Sequence, residues 1–142
     1  MAKVSFDFDG ILHSSVIPNT LHPICFRDAN KWEPRYDIFD LLLKEAETNE
    51  VYIVTSRNTT NKPEIMEFVI MHDLPVNGII CGDGFPKTPN LVKLGSIRHY
   101  DDDAGLTEPL KRAGIEFIHS LPPRRKDLLD RYGENYFADD DY

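Results

Sequence analysis

The chain has 142 residues, close to the ~150 that a single domain takes, and is 41% hydrophobic, 28% charged and 11% aromatic, the composition of a soluble globule and not of a disordered or fibrous chain. Its two cysteines, Cys25 and Cys81, form no CxxC pair, which excludes a disulfide scaffold or a zinc finger and predicts reduced thiols in a cytoplasm. No apolar run nears the ~20 residues of a membrane span, the first residues lack the apolar stretch of a secretory leader, and a net charge of -8 argues against general nucleic-acid binding by a basic surface.

Short apolar runs alternate with helix-length stretches, the signature of a parallel α/β sheet. Val4 to Phe8 reads as the first strand. Residues 10–33 are irregular and rich in Pro, Asn and His; loops of that length are usually functional, and Phe26 and Trp32 are expected to close this one over the core. A helix is predicted from Pro34 to Thr48, with Ile38, Leu41, Leu42 and Ala46 on one face. Val51 to Val54 is the second strand, followed by a helix opened by Asn61-Lys62-Pro63, with Ile65, Met66, Val69 and Ile70 inward.

Gly78 to Cys81 is the third strand, closed by the turn Gly82-Asp83-Gly84. A short helix from Thr88 to Leu94 leads to the fourth strand, Ser96 to Tyr100. Leu106 to Ala113 is a fourth helix stopped by Gly114, and Glu116 to His119 is a fifth strand. An amphiphilic stretch, Arg124 to Tyr132, precedes a tail in which Glu134 to Tyr142 carry four acids and no base, half of the net charge. The expected organisation is a core over 1–123 and an extension over 124–142. The expected fold is a doubly wound five-stranded parallel sheet with helices on both faces. Its first strand is central, with the second and third strands on one side and the fourth and fifth on the other.

In such sheets ligands bind beyond the carboxyl ends of the strands, and that is where the polar residues fall. Asp7 and Asp9 end the first strand, Thr55 and Ser56 follow the second, Asp101-Asp102-Asp103 follow the fourth, and Lys87 precedes it. Taken alone, Asp7-Phe8-Asp9 reads equally well as an acidic turn after a strand. With the second cluster added, four carboxylates converge, and each close pair repels by about 4 kcal/mol at an effective dielectric of 20. A cation has to hold them. An all-oxygen donor set suits Mg²⁺, which keeps several waters and pairs readily with phosphate.

These residues carry a resemblance. Phe6-Asp7-Phe8-Asp9-Gly10-Ile11-Leu12 resembles motif I of the haloacid dehalogenase-like (HAD) superfamily, and Ile53-Val54-Thr55-Ser56-Arg57 resembles motif II. Lys87 fits motif III, and Tyr100-Asp101-Asp102 fits the double-Asp form of motif IV. The resemblance implies a Rossmann-like core and a Mg²⁺-dependent phosphomonoester hydrolase. Asp7 would be the nucleophile, passing through an aspartyl-phosphate, and Asp9 the general acid and base. Mg²⁺ would be held by Asp7, Asp101 and the Asp9 backbone carbonyl, with Asp102 orienting that shell. Thr55 and Lys87 would bind the phosphoryl group and offset its charge, with Ser56, Arg57 and His13 as further substrate contacts. An Asp at position 9 disfavours the dehalogenase branch.

Each assignment has an alternative. Thr55 also suits a strand-end turn cap, and Lys93 competes with Lys87. Arg57 reads as a phosphate contact or a solvated loop cation, and the register within Asp101-Asp102-Asp103 is open by one. Neither the interval from Gly10 to Val54 nor that from Ser56 to Pro86 has room for a full cap domain. An open site of this kind goes in the family with large substrates such as nucleic-acid ends or phosphoproteins, or with homo-oligomers whose neighbours act as caps; the partner expected here is a phosphorylated small molecule or a nucleic-acid end. The sequence also resembles, more loosely, the phosphatase half of polynucleotide kinases. Two other readings are a catalytically silent HAD-like scaffold and a phosphate-binding signalling module such as a response-regulator receiver. The receiver would need a Lys after the fifth strand, where His119-Ser120-Leu121-Pro122 stands.

Overall fold

The computed structural model describes residues 1–14 and 33–120. Five parallel strands form the sheet: β1 (Ala2–Phe6), β4 (Asn49–Thr55), β5 (Gly78–Cys81), β6 (Ser96–Asp101) and β7 (Glu116–His119). Their spatial order is β5-β4-β1-β6-β7, the expected arrangement with the first strand central. The bounds of β5 and β7 match expectation, whereas β1 ends at Phe6. Asp7 and Asp9 therefore lie in the turn beyond the strand and not on one of its faces. A small antiparallel ribbon, β2 (His13–Ser14) with β3 (Glu33–Pro34), brings the two described ends of the long connection together. Phe26, Trp32 and the stretch Arg124 to Tyr132 lie outside the described residues.

Helices α1 (Tyr36–Ala46) and α2 (Lys62–Met71) belong to one apolar layer, and α3 (Lys87–Leu94) and α4 (Thr107–Ala113) to the other. Strand alternation explains the division. Val4, Phe6, Val51, Ile53 and Tyr100 point into the first layer with Ile38, Phe39, Leu42, Ile65 and Phe68. Val54 points into the second with Leu91, Leu106, Leu110 and Ile115. Phe6 and Tyr100, paired across β1 and β6, stack with centroids 4.2 Å apart.

Five expectations about the helices are corrected. Pro34 lies in β3, so α1 starts only at Tyr36. Leu41 is exposed and Phe39 buried in its place. In α2, Ile65 and Phe68 face the core, while Met66 and Ile70 are exposed. The reason is aromatic: Phe68 packs edge-on against Phe8 at 5.3 Å and Phe39 at 6.0 Å, and that ring cluster sets how both helices are turned. Helix α3 already includes Lys87, and a 3₁₀ turn over Ala104–Leu106 precedes α4.

Candidate active site

The carboxyl ends of β1, β4 and β6 form a pocket of about 430 Å³ lined by Asp7, Asp9, Thr55, Ser56, Arg57, Lys87 and Asp101 to Asp103. Lys87 stands at its centre. Its Nζ lies 2.8 Å from Asp7 Oδ1 and 2.6 Å from Asp101 Oδ2. It is Lys87 that reaches these carboxylates, from the first turn of α3; Lys93 is in the last turn and exposed. Burial works against the Lys87 charge, but Asp7 and Asp101 outweigh it and push the ammonium's pKa up. Burial, joined by the negative charge of Asp101, pushes the Asp7 carboxyl well above its ordinary value against the pull of Lys87.

Asp7, Asp101 and Asp102 each offer one carboxylate oxygen, and these oxygens all lie within 4.8 Å of one another. The set is all oxygen, and its members repel: burial and the neighbouring Asp101 raise the Asp102 carboxyl above its ordinary value. A hard divalent cation such as Mg²⁺ fits that chemistry. Asp102 packs against the turn that follows β1. Gly10, at φ 80°, passes so close that a Cβ there would collide with Asp102 Oδ2.

Asp9 faces different partners. Arg57 grips it with two charge-assisted hydrogen bonds, Nε to Oδ2 at 2.7 Å and Nη2 to Oδ1 at 2.6 Å. His13 Nε2 adds a third at 2.9 Å. Burial opposes the Asp9 charge, yet the bonds from Arg57 and His13 prevail and hold the carboxyl well below the usual range. Both partners rest on Phe8: the guanidinium carbon lies 5.5 Å from its ring centroid, and the His13 ring 4.9 Å. Arg57 is therefore an ion-pair partner of Asp9, which neither sequence reading of Arg57 contained.

Thr55 is buried, and its Oγ1 accepts the Arg57 backbone N–H at 3.2 Å; it caps the turn and lines the pocket at once. Ser56 is exposed at the rim. The adjoining Gly82 to Gly84 turn is sewn to this loop by Gly82 N–H to Thr55 O at 2.8 Å, Asp83 N–H to Arg57 O at 3.1 Å and Gly84 N–H to Ser56 O at 2.8 Å. Arg35, at the foot of α1, donates from Nη1 to the Gly10 carbonyl at 2.9 Å and so ties the turn after β1 to that helix.

The sequence shows no metal spacing around His99 and gives it no role at the site, yet its Nε2 lies 2.8 Å from Asp101 Oδ2. The signal was its spacing: a polar residue two before Asp101 shares that residue's face of β6, where an apolar one is the norm. His99 is fully buried, which lowers its pKa against the hydrogen bond from the imidazole to Asp101.

No family model and no curated protein matches the sequence. Solved structures do. A chain of the Pnkp1/Rnl/Hen1 complex superposes with a TM-score of 0.68 at 13% identity, over 84% of this chain and 45% of that one. This chain thus spans about half the length of that relative. A HAD family enzyme from Bacteroides thetaiotaomicron, in complex with magnesium and inorganic phosphate, superposes with a TM-score of 0.57 at 11% identity, over 90% of this chain and 98% of that one.

Proposed function

On a fold that is HAD-like, we propose that this chain is a Mg²⁺-dependent phosphomonoester hydrolase that works through an aspartyl-phosphate on Asp7. One observation carries the reading: a single buried ammonium joins Asp7 to Asp101, beside Asp102, at the floor of an open pocket. Asp7, Asp101 and Asp102 would hold the cation, with the Asp9 backbone carbonyl that the resemblance adds. When bound, it supplies charge neutralisation and alignment of the phosphoryl group.

The chain's own residues divide the remaining work. Asp7 attacks phosphorus, the ester P–O bond breaks, and the leaving oxygen takes a proton from Asp9. Water then attacks phosphorus and gives a proton to Asp9, and the bond to Asp7 breaks to release phosphate. Lys87 offsets negative charge on Asp7 and the transferring group, while Thr55 donates its hydroxyl from the pocket wall and Ser56 from the rim. Arg57 has two roles in sequence. It keeps Asp9 ionised in the free site, and an arriving phosphoryl dianion competes for its guanidinium. As that grip loosens, the Asp9 pKa climbs and the residue can carry the proton that the leaving group needs. His13 holds Asp9 Oδ1 throughout.

The pocket is open, which suits a phosphate on a nucleotide, a nucleic-acid end or another phosphorylated compound, and leaves room for a second copy of the chain to cover it. The likeness to a chain of an RNA repair complex favours the nucleic-acid end among these. Among the described residues no helix is long and apolar enough to cross a membrane, and the reading keeps the chain in the cytoplasm. The test is a screen of phosphorylated metabolites, nucleotides and 3′-phosphorylated oligonucleotides with Mg²⁺, run beside Asp7→Asn. Phosphate release that disappears in Asp7→Asn and in excess EDTA is the expected result. Activity that survives either one refutes the mechanism.

A further inference from the structure

Behind the carboxylates, on the same face of the sheet, three buried polar side chains that the steps above do not use lead up to Asp101. Ser5, Ser96, His99 and Asp101 are all 5% exposed or less. Ser5 Oγ lies 2.8 Å from Ser96 Oγ and 2.8 Å from His99 Nδ1, and His99 Nε2 lies 2.8 Å from Asp101 Oδ2. A carboxylate accepts and never donates, so Nε2 carries the imidazole proton. In a neutral ring Nδ1 is then an acceptor and takes the Ser5 hydroxyl proton. Asp101 thereby selects the tautomer of His99, and the Ser5 hydroxyl supports it at the far nitrogen.

The consequence falls on Asp101. Its Oδ2 accepts from both Lys87 and His99, and its Oδ1 accepts the Asp103 backbone N–H at 3.0 Å. Of the about four acceptor positions on a carboxylate, protein donors take three. Lys87 alone would not fix the carboxylate plane, because an ammonium on a flexible stem can follow a rotating oxygen. The imidazole is rigid, buried and held at its far side, so it can.

We propose that His99, with its Nε2–H tautomer selected by Asp101 and supported by Ser5, is the positioning residue that orients Asp101 toward the cation. The idea rests on the reading of Asp7, Asp101 and Asp102 as a Mg²⁺ site. It assigns a role to a histidine that is buried with Ser5 and Ser96 on the side of the sheet that also buries Val54, Leu91 and Leu110. A purely structural histidine would stabilise the fold without touching cation affinity.

The experiment is Mg²⁺ titration by calorimetry on wild type, His99→Leu, His99→Gln and Ser5→Ala, with near-ultraviolet circular dichroism to follow folding. Partners of metal ligands typically change affinity by about 10–100-fold when removed. His99→Leu should show a loss in that range, Ser5→Ala a smaller loss, and His99→Gln, whose side-chain amide keeps a donor where Nε2 stood, should bind nearly as wild type does. Ser5→Ala removes one oxygen, so it reports even if His99→Leu does not fold. The ¹⁵N spectrum of the wild-type imidazole should show the Nε2–H tautomer, with Ser5→Ala shifting the Nδ1 signal. Wild-type affinity in both His99→Leu and Ser5→Ala overturns the inference and leaves the cation site standing. Where His99→Leu fails to fold, wild-type affinity in Ser5→Ala alone overturns it. Equal weakening in His99→Gln and His99→Leu overturns it too, because the donor would then be irrelevant. A wild type that binds no Mg²⁺ overturns the cation reading and the inference together.

Discussion

Lys87 and Asp101 meet at 2.6 Å in a place where neither would be stable alone. A buried ammonium and a fully buried carboxylate each cost several kcal/mol to desolvate, and breaking such a pair by removing one partner typically costs about 3–5 kcal/mol. Lys87 also touches Asp7, so this one side chain ties the nucleophile candidate of the β1 turn to the end of β6. The pair explains how a cluster of acids can fold before any cation arrives.

Lys87→Met keeps the length of the stem and deletes the charge. It should be destabilised by about 3–5 kcal/mol in urea unfolding and should lose phosphate release. Its affinity for Mg²⁺ should be no weaker than that of wild type, because three carboxylates without the ammonium present a more negative site. A large loss of Mg²⁺ affinity in a folded Lys87→Met would mean that the lysine builds the cation site instead of balancing it.

Asp9 and Arg57 give a second test. Asp9→Asn keeps the backbone carbonyl and removes the proton transfer, which is worth roughly 10²–10⁴ in rate. The loss should be smaller for p-nitrophenyl phosphate, whose departing oxygen needs little protonation. Arg57→Ala removes the group that most lowers the Asp9 pKa, so the limb of the pH–rate profile on which Asp9 loses its proton should move to higher pH. Equal slowing of good and poor leaving groups in Asp9→Asn would remove its acid–base assignment.

Tyr100 supplies a pH prediction away from the pocket. Its hydroxyl donates to Glu45 Oε2 at 2.7 Å, and burial together with that bond raises its pKa above the ordinary 10.0. A raised pKa means the folded chain holds a proton that the unfolded chain releases. The associated stability is complete below pH 10 and falls as pH rises beyond it. Tyr100→Phe should be less stable by about 1 kcal/mol at pH 7, and the gap to wild type should narrow between pH 10 and 11.5. A constant gap in urea unfolding across that range would show that Tyr100 ionises normally.

The parts of the fold that sequence revealed are those governed by local pattern. Gly78 to Cys81 and Glu116 to His119 are short apolar strands bounded by turns, and the central position of β1 followed from the need to bring Asp7 and Asp101 to adjacent strands. The faces of α1 and α2 were legible only in part: Ile38, Leu42 and Ile65 point inward as expected, but Phe68 turns in on Phe8 and Phe39 on Phe68 and His72 of the other helix, contacts that no helical period contains. Ser5 and His99 were equally hidden. They are 94 residues apart and meet only because β1 pairs with β6 in a register that sets Ser5 opposite His99. Arg57 was seen as a cation near the site, but its partner depended on how the turn after β1 folds back.

Two glycines with nearly the same backbone separate the cost of conformation from the cost of contact. Gly10 has φ 80° and Gly95 φ 81°, both in the left-handed region that costs an L-residue roughly 1–2 kcal/mol. Around Gly95, at the end of α3, a Cβ would meet nothing within 4 Å, whereas at Gly10 it would strike Asp102 Oδ2. Gly95→Ala should therefore lose about 1–2 kcal/mol in urea unfolding and keep its Mg²⁺ affinity. Gly10→Ala has to pay the same conformational cost and also push Asp102 out of the carboxylate cluster. Its loss of stability should be larger, and its Mg²⁺ affinity should fall while that of Gly95→Ala does not. If both variants bind Mg²⁺ like wild type, the close approach of Gly10 to Asp102 serves packing alone, and Asp102 has no part in holding the cation.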